Sequence, residues 1–129
     1  MTRLDPVIAV KDIVASSTWY KQIFGLKTNQ DSDHFAVLLS DDNEVMICLH
    51  NWLQDNHPTM MNPDIEVGNG LLLYFRTDQM NRIYENAIKA GCEIEEEIHL
   101  NGNSGKREFS LRDPDGYYLT VSEFHQYEG

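Results

Sequence analysis

The chain has 129 residues, 41% hydrophobic and 24% charged, and a formal charge of -11 at neutral pH. That length suits one domain with a core of its own, without metal or disulfide staples. The acidic balance disfavours nucleic acid and anionic membrane surfaces, which need a positive footprint, and leaves either a cationic ligand or plain solubility as what the charge serves.

No apolar run approaches a membrane span, and Met1-Thr2-Arg3-Leu4-Asp5-Pro6 lacks the build of a signal peptide. Cys48 and Cys92 fall in separate strand-like segments without metal or redox spacing. They read as reduced, buried thiols of a cytoplasmic protein, with a pairing between them left open.

The first predicted strand is the apolar run Pro6–Val10. Asp12 stands where a helix N-cap belongs, and the helix runs to about Phe24, where Gly25 stops it. Ile13, Tyr20, Ile23 and Phe24 supply its apolar side, although Ser16, Ser17 and Thr18 weaken its propensity. Three strands follow, Leu26–Asn29, His34–Ser40 and Glu44–His50, the last two joined by the turn-forming Asp41-Asp42-Asn43.

Asn51–Asn69 is a long irregular connection. Its Trp52, Leu53, Met60 and Met61 either shield a ligand or partner chain or fold onto the surface as a tether. Gly70–Phe75 is the next strand, Asp78 the next N-cap. Met80, Ile83, Tyr84, Ala87 and Ile88 then mark an amphipathic helix that Gly91 ends. Strands at Cys92–Ile98, Lys106–Arg112 and Tyr117–Glu123 complete the chain. Within Cys92–Ile98, Glu93, Glu95 and Glu97 alternate with Ile94 and Ile98, giving one solvated strand face or a cation-attracting rim.

The second half repeats the first. Asp12 to Gly25 and Asp78 to Gly91 are both thirteen steps, and the copies lie 66 residues apart. The expectation is an α+β fold of two βαβββ units in a single domain, residues 1–129, with unit one at 1–50, a linker at 51–69 and unit two at 70–129. Two such sheets with helices outside form a curved mixed sheet around a cavity, and a pocket follows at their junction.

The last hairpin turns on Asp113-Pro114-Asp115-Gly116, a strong type I turn signal. Alternation places Phe109, Leu111, Leu119 and Val121 on a core face. It places Glu108, Ser110, Arg112, Tyr118, Thr120 and Ser122 on a polar face able to line a pocket.

Several of these stretches carry a family resemblance: Pro6-Val7-Ile8-Ala9-Val10-Lys11-Asp12-Ile13, Trp19-Tyr20, Phe24-Gly25-Leu26 and Arg112-Asp113-Pro114-Asp115-Gly116. Across nearly its whole length the chain resembles the vicinal oxygen chelate superfamily of glyoxalase I, extradiol dioxygenases, fosfomycin-resistance and bleomycin-resistance proteins. Arg107-Glu108-Phe109 ahead of the Asp-Pro-Asp-Gly turn looks most like the bleomycin-resistance branch. The resemblance implies the fold and a homodimer; it does not name a reaction, because the fold hosts many.

Metal-using members keep ligands at four strand positions, which the resemblance carries onto Asp5, Cys48, Leu71 and Thr120. Leucine has no donor and a neutral threonine hydroxyl is a poor one, so this is not a ligand set for a divalent metal. A rearranged Asp5, Cys48, His50 site is the alternative, against a half-buried, hydrogen-bonded His50. His34, His57, His99 and His125 lack ligand spacing and read as surface residues. No Gly-x-Ser-x-Gly elbow, phosphate loop or dinucleotide fingerprint is present.

By resemblance, the expected function is a metal-free small-molecule-binding protein without a cofactor. Its ligand is cationic or aromatic and sits in a cavity between units or subunits. Leu71, Leu73, Phe75, Trp52, Tyr118, Met46 and Met60 are the candidate walls; Asp5, Cys48, His50, Glu108, Ser110, Arg112 and Thr120 supply polar contacts. Two other readings stand beside it. One is a glyoxalase-like lyase, isomerase or dioxygenase, either metal-dependent or using Glu108 as base and Arg112 as oxyanion partner. The other is a dimerisation or regulatory module.

Overall fold

Asp12 starts the first helix, α1 (Ile13–Phe24), by accepting the Ala15 N–H at 3.0 Å. Gly25 ends it in the left-handed region at φ 69, donating its own N–H back to the Lys21 carbonyl; that conformation suits glycine because it has no Cβ to clash. The computed structural model describes residue 1 and residues 3–29, 33–54 and 57–125. Thr2 of the N-terminal stretch and Asp55–Asn56 of the connection lie outside the described residues. Two compact units result, Met1–Glu66 and Val67–Gly129.

In the first unit, β1 (Val7–Val10) precedes α1, and β2 (Lys27–Asn29), β3 (Phe35–Leu39) and β4 (Val45–Asn51) follow it. The sheet order is β1-β4-β3-β2, with β1 parallel to β4 and the other pairs antiparallel. Helix α1 packs on β3 and β4. Ala36, Leu38, Ile47 and Leu49 are essentially inaccessible there, as are Ile13, Tyr20 and Ile23 of the helix. Period-two and period-3.6 patterning thus meet in one apolar layer.

The second unit repeats the plan. Here β5 (Leu73–Thr77) leads to α2 (Met80–Lys89), β6 (Ile94–Leu100), β7 (Arg107–Arg112) and β8 (Tyr118–Glu123), in sheet order β5-β8-β7-β6. Only β5–β8 is parallel. The helix side is fixed by Tyr84 of α2, whose ring meets Phe109 edge-on at 5.2 Å. Leu111, Leu119 and Val121 are buried on that same side. The architecture is α+β, two four-stranded mixed sheets with two helices, as the repeat predicts.

The turn joining β7 to β8 closes as expected. Gly116 donates to the Asp113 carbonyl at 3.0 Å, and the Asp113 carboxylate accepts the N–H groups of Asp115 and Tyr117, both at 2.9 Å.

Four local expectations are corrected. Strand β5 opens at Leu73 rather than Gly70, leaving Leu71 and Leu72 exposed ahead of it. Asp78 does not cap α2: Gln79 holds that position without a side-chain cap bond, and its N–H goes to the Thr77 hydroxyl at 2.9 Å. A serine/threonine turn one step upstream has replaced the Asx cap. Cys92 is only half-buried, and both cysteines are free thiols.

The fourth concerns β6. Register shifts on both sides of Glu96 break its simple alternation. Glu95 consequently accepts from Arg112 and Glu97 from Tyr84 of α2, so the two do not share one solvated face.

Candidate functional site

Strand parity builds the site. Residues paired across strands project to the same side, so the face opposite α2 collects Tyr74, Thr120 and Ser110 in one row, with Ser122 and Glu108 in the next. The β6 register adds Glu96 beside Ser110 and His99 beside Glu108.

Glu108 is the centre of this face. It is 8% exposed. Its Oε2 accepts from the Tyr74 hydroxyl at 3.1 Å, and its Oε1 accepts from Asn101 Nδ2 at 3.0 Å. His99 Nε2 lies 3.6 Å from Glu108 Oε1 and 3.4 Å from Glu96 Oε1. The Tyr74 oxygen also stands 3.3 Å from His125 Nε2. A buried carboxylate is expensive unless hydrogen-bonded or paired, and the two hydrogen bonds donated to this one come from neutral groups.

The row beside it is quieter. Ser110 Oγ and Thr120 Oγ1 form a buried hydroxyl pair at 2.8 Å. Arg112 binds Glu95 at 3.1 Å and the Gly116 carbonyl at 2.8 Å, with its guanidinium over the Tyr118 ring. The sheet's own structure already employs that arginine.

Of the expected site residues, Glu108, Ser110, Arg112, Tyr118 and Thr120 do share this face. Leu73 and Phe75 do not: paired with Leu119 and Val121, they face the α2 core. Leu71 lies outside any strand. His99 and His125, expected as surface residues, are drawn into the Glu108 cluster. With Tyr74 and Asn101 they are the members that sequence reasoning missed.

The first unit gathers a different set. Ala9, Cys48 and His50 share the sheet face away from the inaccessible Leu49 layer, alongside Phe35 and Val37. His50 uses Nδ1 on the Asn51 carbonyl at 2.7 Å, and its ring stacks edge-on with Phe35 at 6.2 Å and His57 at 5.6 Å. Burial pushes the Cys48 thiol above its ordinary value, and the negative charge of Asp5 adds to the effect. Asp5 itself is exposed ahead of β1, and Met46 and Trp52 are half-buried, Trp52 just beyond β4. Met60 is buried and closes the loop after β4, its carbonyl accepting from Leu53 at 2.8 Å.

A cleft of about 480 Å³ opens elsewhere, at the start of α2. It is lined by Asp78, Arg82, Lys106, Arg107, Glu123 and Phe124 among others. Arg107 and Glu123 are paired inside it at 3.2 Å, which leaves a mixed-charge lining that contains none of the expected site residues.

The four ligand positions of metal-using relatives do not make a metal centre here. Leu71 offers no donor and Thr120 is engaged by Ser110. Among the described residues no three His, Cys, Asp or Glu side chains, Asp5, Cys48 and His50 among them, come together in a way that holds a metal ion. The residues present do not fit a divalent ion.

The repeat, the topology and the hairpin turn define a class. The model of the Glyoxalase/Bleomycin resistance protein/Dioxygenase superfamily matches residues 3–121, and the chain belongs to that superfamily. No curated protein matches the sequence significantly.

Solved structures share the fold along nearly the whole chain. A protein of unknown function from Agrobacterium tumefaciens superposes with a TM-score of 0.77 at 23% identity, covering 97% of this chain and 95% of that one. A bleomycin-binding protein complexed with bleomycin gives 0.69 at 17% identity, covering 97% and 100%. A lactoylglutathione lyase from Agrobacterium tumefaciens gives 0.69 at 18% identity, covering 95% and 92%. At such identities the likeness establishes the fold and leaves function to the site.

Proposed function

We propose that this chain is a metal-free small-molecule-binding protein that receives the cationic group of an aromatic or apolar ligand at Glu108. The observation that carries the reading is the buried Glu108 carboxylate, whose hydrogen-bond donors Tyr74 and Asn101 are uncharged. A charged ligand group placed there gains a charge-assisted bond in a site of low dielectric. The net charge of -11 draws cations toward the protein. The fold is shared with a structure of a bleomycin-binding protein holding bleomycin, which supports binding as a use of this scaffold.

On this reading the protein works as a homodimer in the cytoplasm, with Tyr118 and Thr120 flanking the ligand. Among the described residues no helix is long and apolar enough to cross a membrane.

The test is metal analysis of the purified protein, followed by calorimetric titration with metal-free bleomycin and smaller cationic aromatics, with light scattering for the oligomer. Expected are no stoichiometric transition metal and binding at micromolar concentration or better for one of the cations, lost in Glu108→Gln. A stoichiometric metal with chelator-sensitive turnover of a methylglyoxal–thiol adduct overturns the proposal.

A further inference from the structure

The connection from β6 to β7 runs Asn101-Gly102-Asn103-Ser104-Gly105-Lys106, and its first side chain holds both the turn and the buried carboxylate. Asn101 Nδ2 donates to Glu108 Oε1 at 3.0 Å. Asn101 Oδ1 accepts the Asn103 N–H at 2.8 Å and the Ser104 N–H, longer, at 3.4 Å. The Asn101 backbone is pinned as well, its N–H on the Lys106 carbonyl and its carbonyl taking the Gly105 N–H.

That amide precedes a glycine. A side-chain amide is most open to attack by the next backbone nitrogen where no Cβ stands in the way. Gly102 is exposed, and a Cβ built on it would meet nothing within 4 Å. Among the described residues no acceptor takes the Gly102 N–H. The electrophile is prepared too. The Asn103 N–H, with that of Ser104 beyond it, draws electron density from Cγ through Oδ1 and stands where negative charge develops as a nucleophile adds, a small oxyanion hole.

We infer that Asn101 is a self-modification site whose product dismantles the hydrogen bonding of Glu108. The Gly102 nitrogen bonds to Asn101 Cγ, the Cγ–Nδ2 bond breaks, and the Gly102 proton leaves with that nitrogen as ammonia. Water then opens the cyclic imide, giving aspartate or isoaspartate. The net change is amide plus water to carboxylic acid plus ammonia, with no oxidant or reductant.

The consequence falls on Glu108. An ionised carboxylate has nothing to donate. Glu108, 8% exposed, loses one of its two neutral donors and gains a like charge in the donor's place. In the aspartate product the Asn103 and Ser104 N–H groups still find an acceptor, so the turn keeps its own bonds. The inference stands whether or not Glu108 receives a ligand's cation.

The experiment holds the full chain in neutral buffer at physiological temperature and samples it by peptide mass spectrometry, with fragmentation separating Asn101 from Asn103. Asn69-Gly70 is the internal clock, since Asn69 is exposed and its side chain makes no hydrogen bond among the described residues. Expected is clear conversion of Asn101 by the time half of Asn69 has converted. Gly102→Ala, which fits the open space, should slow Asn101 severalfold and leave Asn69 unchanged. An intact Asn101 at that time, conversion confined to Asn103, or an unchanged rate in Gly102→Ala overturns the inference.

Asn101→Asp supplies the aspartate product in uniform form. Its melting midpoint should fall by several degrees. Adding Glu108→Gln, whose amide can donate to the new carboxylate, should recover most of that loss. No fall, or a fall that Glu108→Gln leaves in place, overturns Glu108 as the group that the modification disarms.

Discussion

Tyr74 on β5 reaches across β8 to hydrogen-bond Glu108 on β7, oxygen to oxygen 3.1 Å, joining residues 34 positions apart in sequence. The bond exists because β5 lies parallel to β8 with Tyr74 beside Thr120, and because the β7–β8 register sends Glu108 to the same face. It is the link that ties the β5 edge of the second sheet to that carboxylate.

Removing that donor should be felt. Tyr74→Phe keeps the ring and deletes the hydroxyl, so Glu108 loses one charge-assisted bond while staying buried. A cost of about 1–2 kcal/mol is expected in urea unfolding, at the lower end for a part-buried pair. In Glu108→Gln the same Tyr74→Phe change should cost measurably less, which a double-mutant cycle will read.

The Ser110–Thr120 pair offers a sharper contrast. Both residues are buried and each is the other's partner at 2.8 Å. Ser110→Ala or Thr120→Val alone orphans a buried hydroxyl, at about 1–3 kcal/mol. The double substitution removes both polar groups at once and should cost less than the sum of the singles. Strict additivity in chemical denaturation would mean that the two hydroxyls do not depend on each other.

Two aspartates that look equivalent in sequence should behave differently. Asp12 accepts the Ala15 N–H and caps α1, so Asp12→Ala is expected to cost about 1 kcal/mol. Asp78 makes no such bond to α2, whose N-cap is Gln79. Asp78→Ala should stay within about 0.5 kcal/mol, as exposed substitutions do. Thermal melts of the two variants side by side decide it.

Cysteine chemistry gives a pH-dependent test. Burial, and secondly the Asp5 charge, raise the folded-state pKa of Cys48 above the unfolded value. The neutral thiol's contribution to stability is therefore complete below the unfolded pKa and is lost as pH rises through the folded one. Cys48→Ala should flatten the alkaline limb of the stability profile, and Asp5→Asn should move it less. Near pH 8, a thiol reagent should modify the half-buried Cys92 first and Cys48 only on unfolding.

Much was already decided by local patterns. The Asp12-to-Gly25 helix, the amphipathic helix of the second half without its expected Asp78 cap, and the Asp113–Gly116 turn depend on neighbours a few residues away, and the structure keeps them. The two faces of the final hairpin are determined in the same way. A tight turn sets the β7–β8 register, so Phe109, Leu111, Leu119 and Val121 go to the core and Glu108, Ser110, Thr120 and Ser122 to the polar side.

Tertiary structure decided the rest of the site. Which strand lies beside β8 is a long-range choice, made by burying Leu73 and Phe75 against the α2 layer, and it alone brings Tyr74 to Glu108. The register shifts in β6 are likewise a property of the assembled sheet. They turn Glu95, Glu96 and Glu97 to separate partners and set His99 against Glu108, where simple alternation predicts a solvated acidic face. Hydrogen-bonded pairing between distant segments is chosen by the packing of the whole layer, and no local pattern carries it.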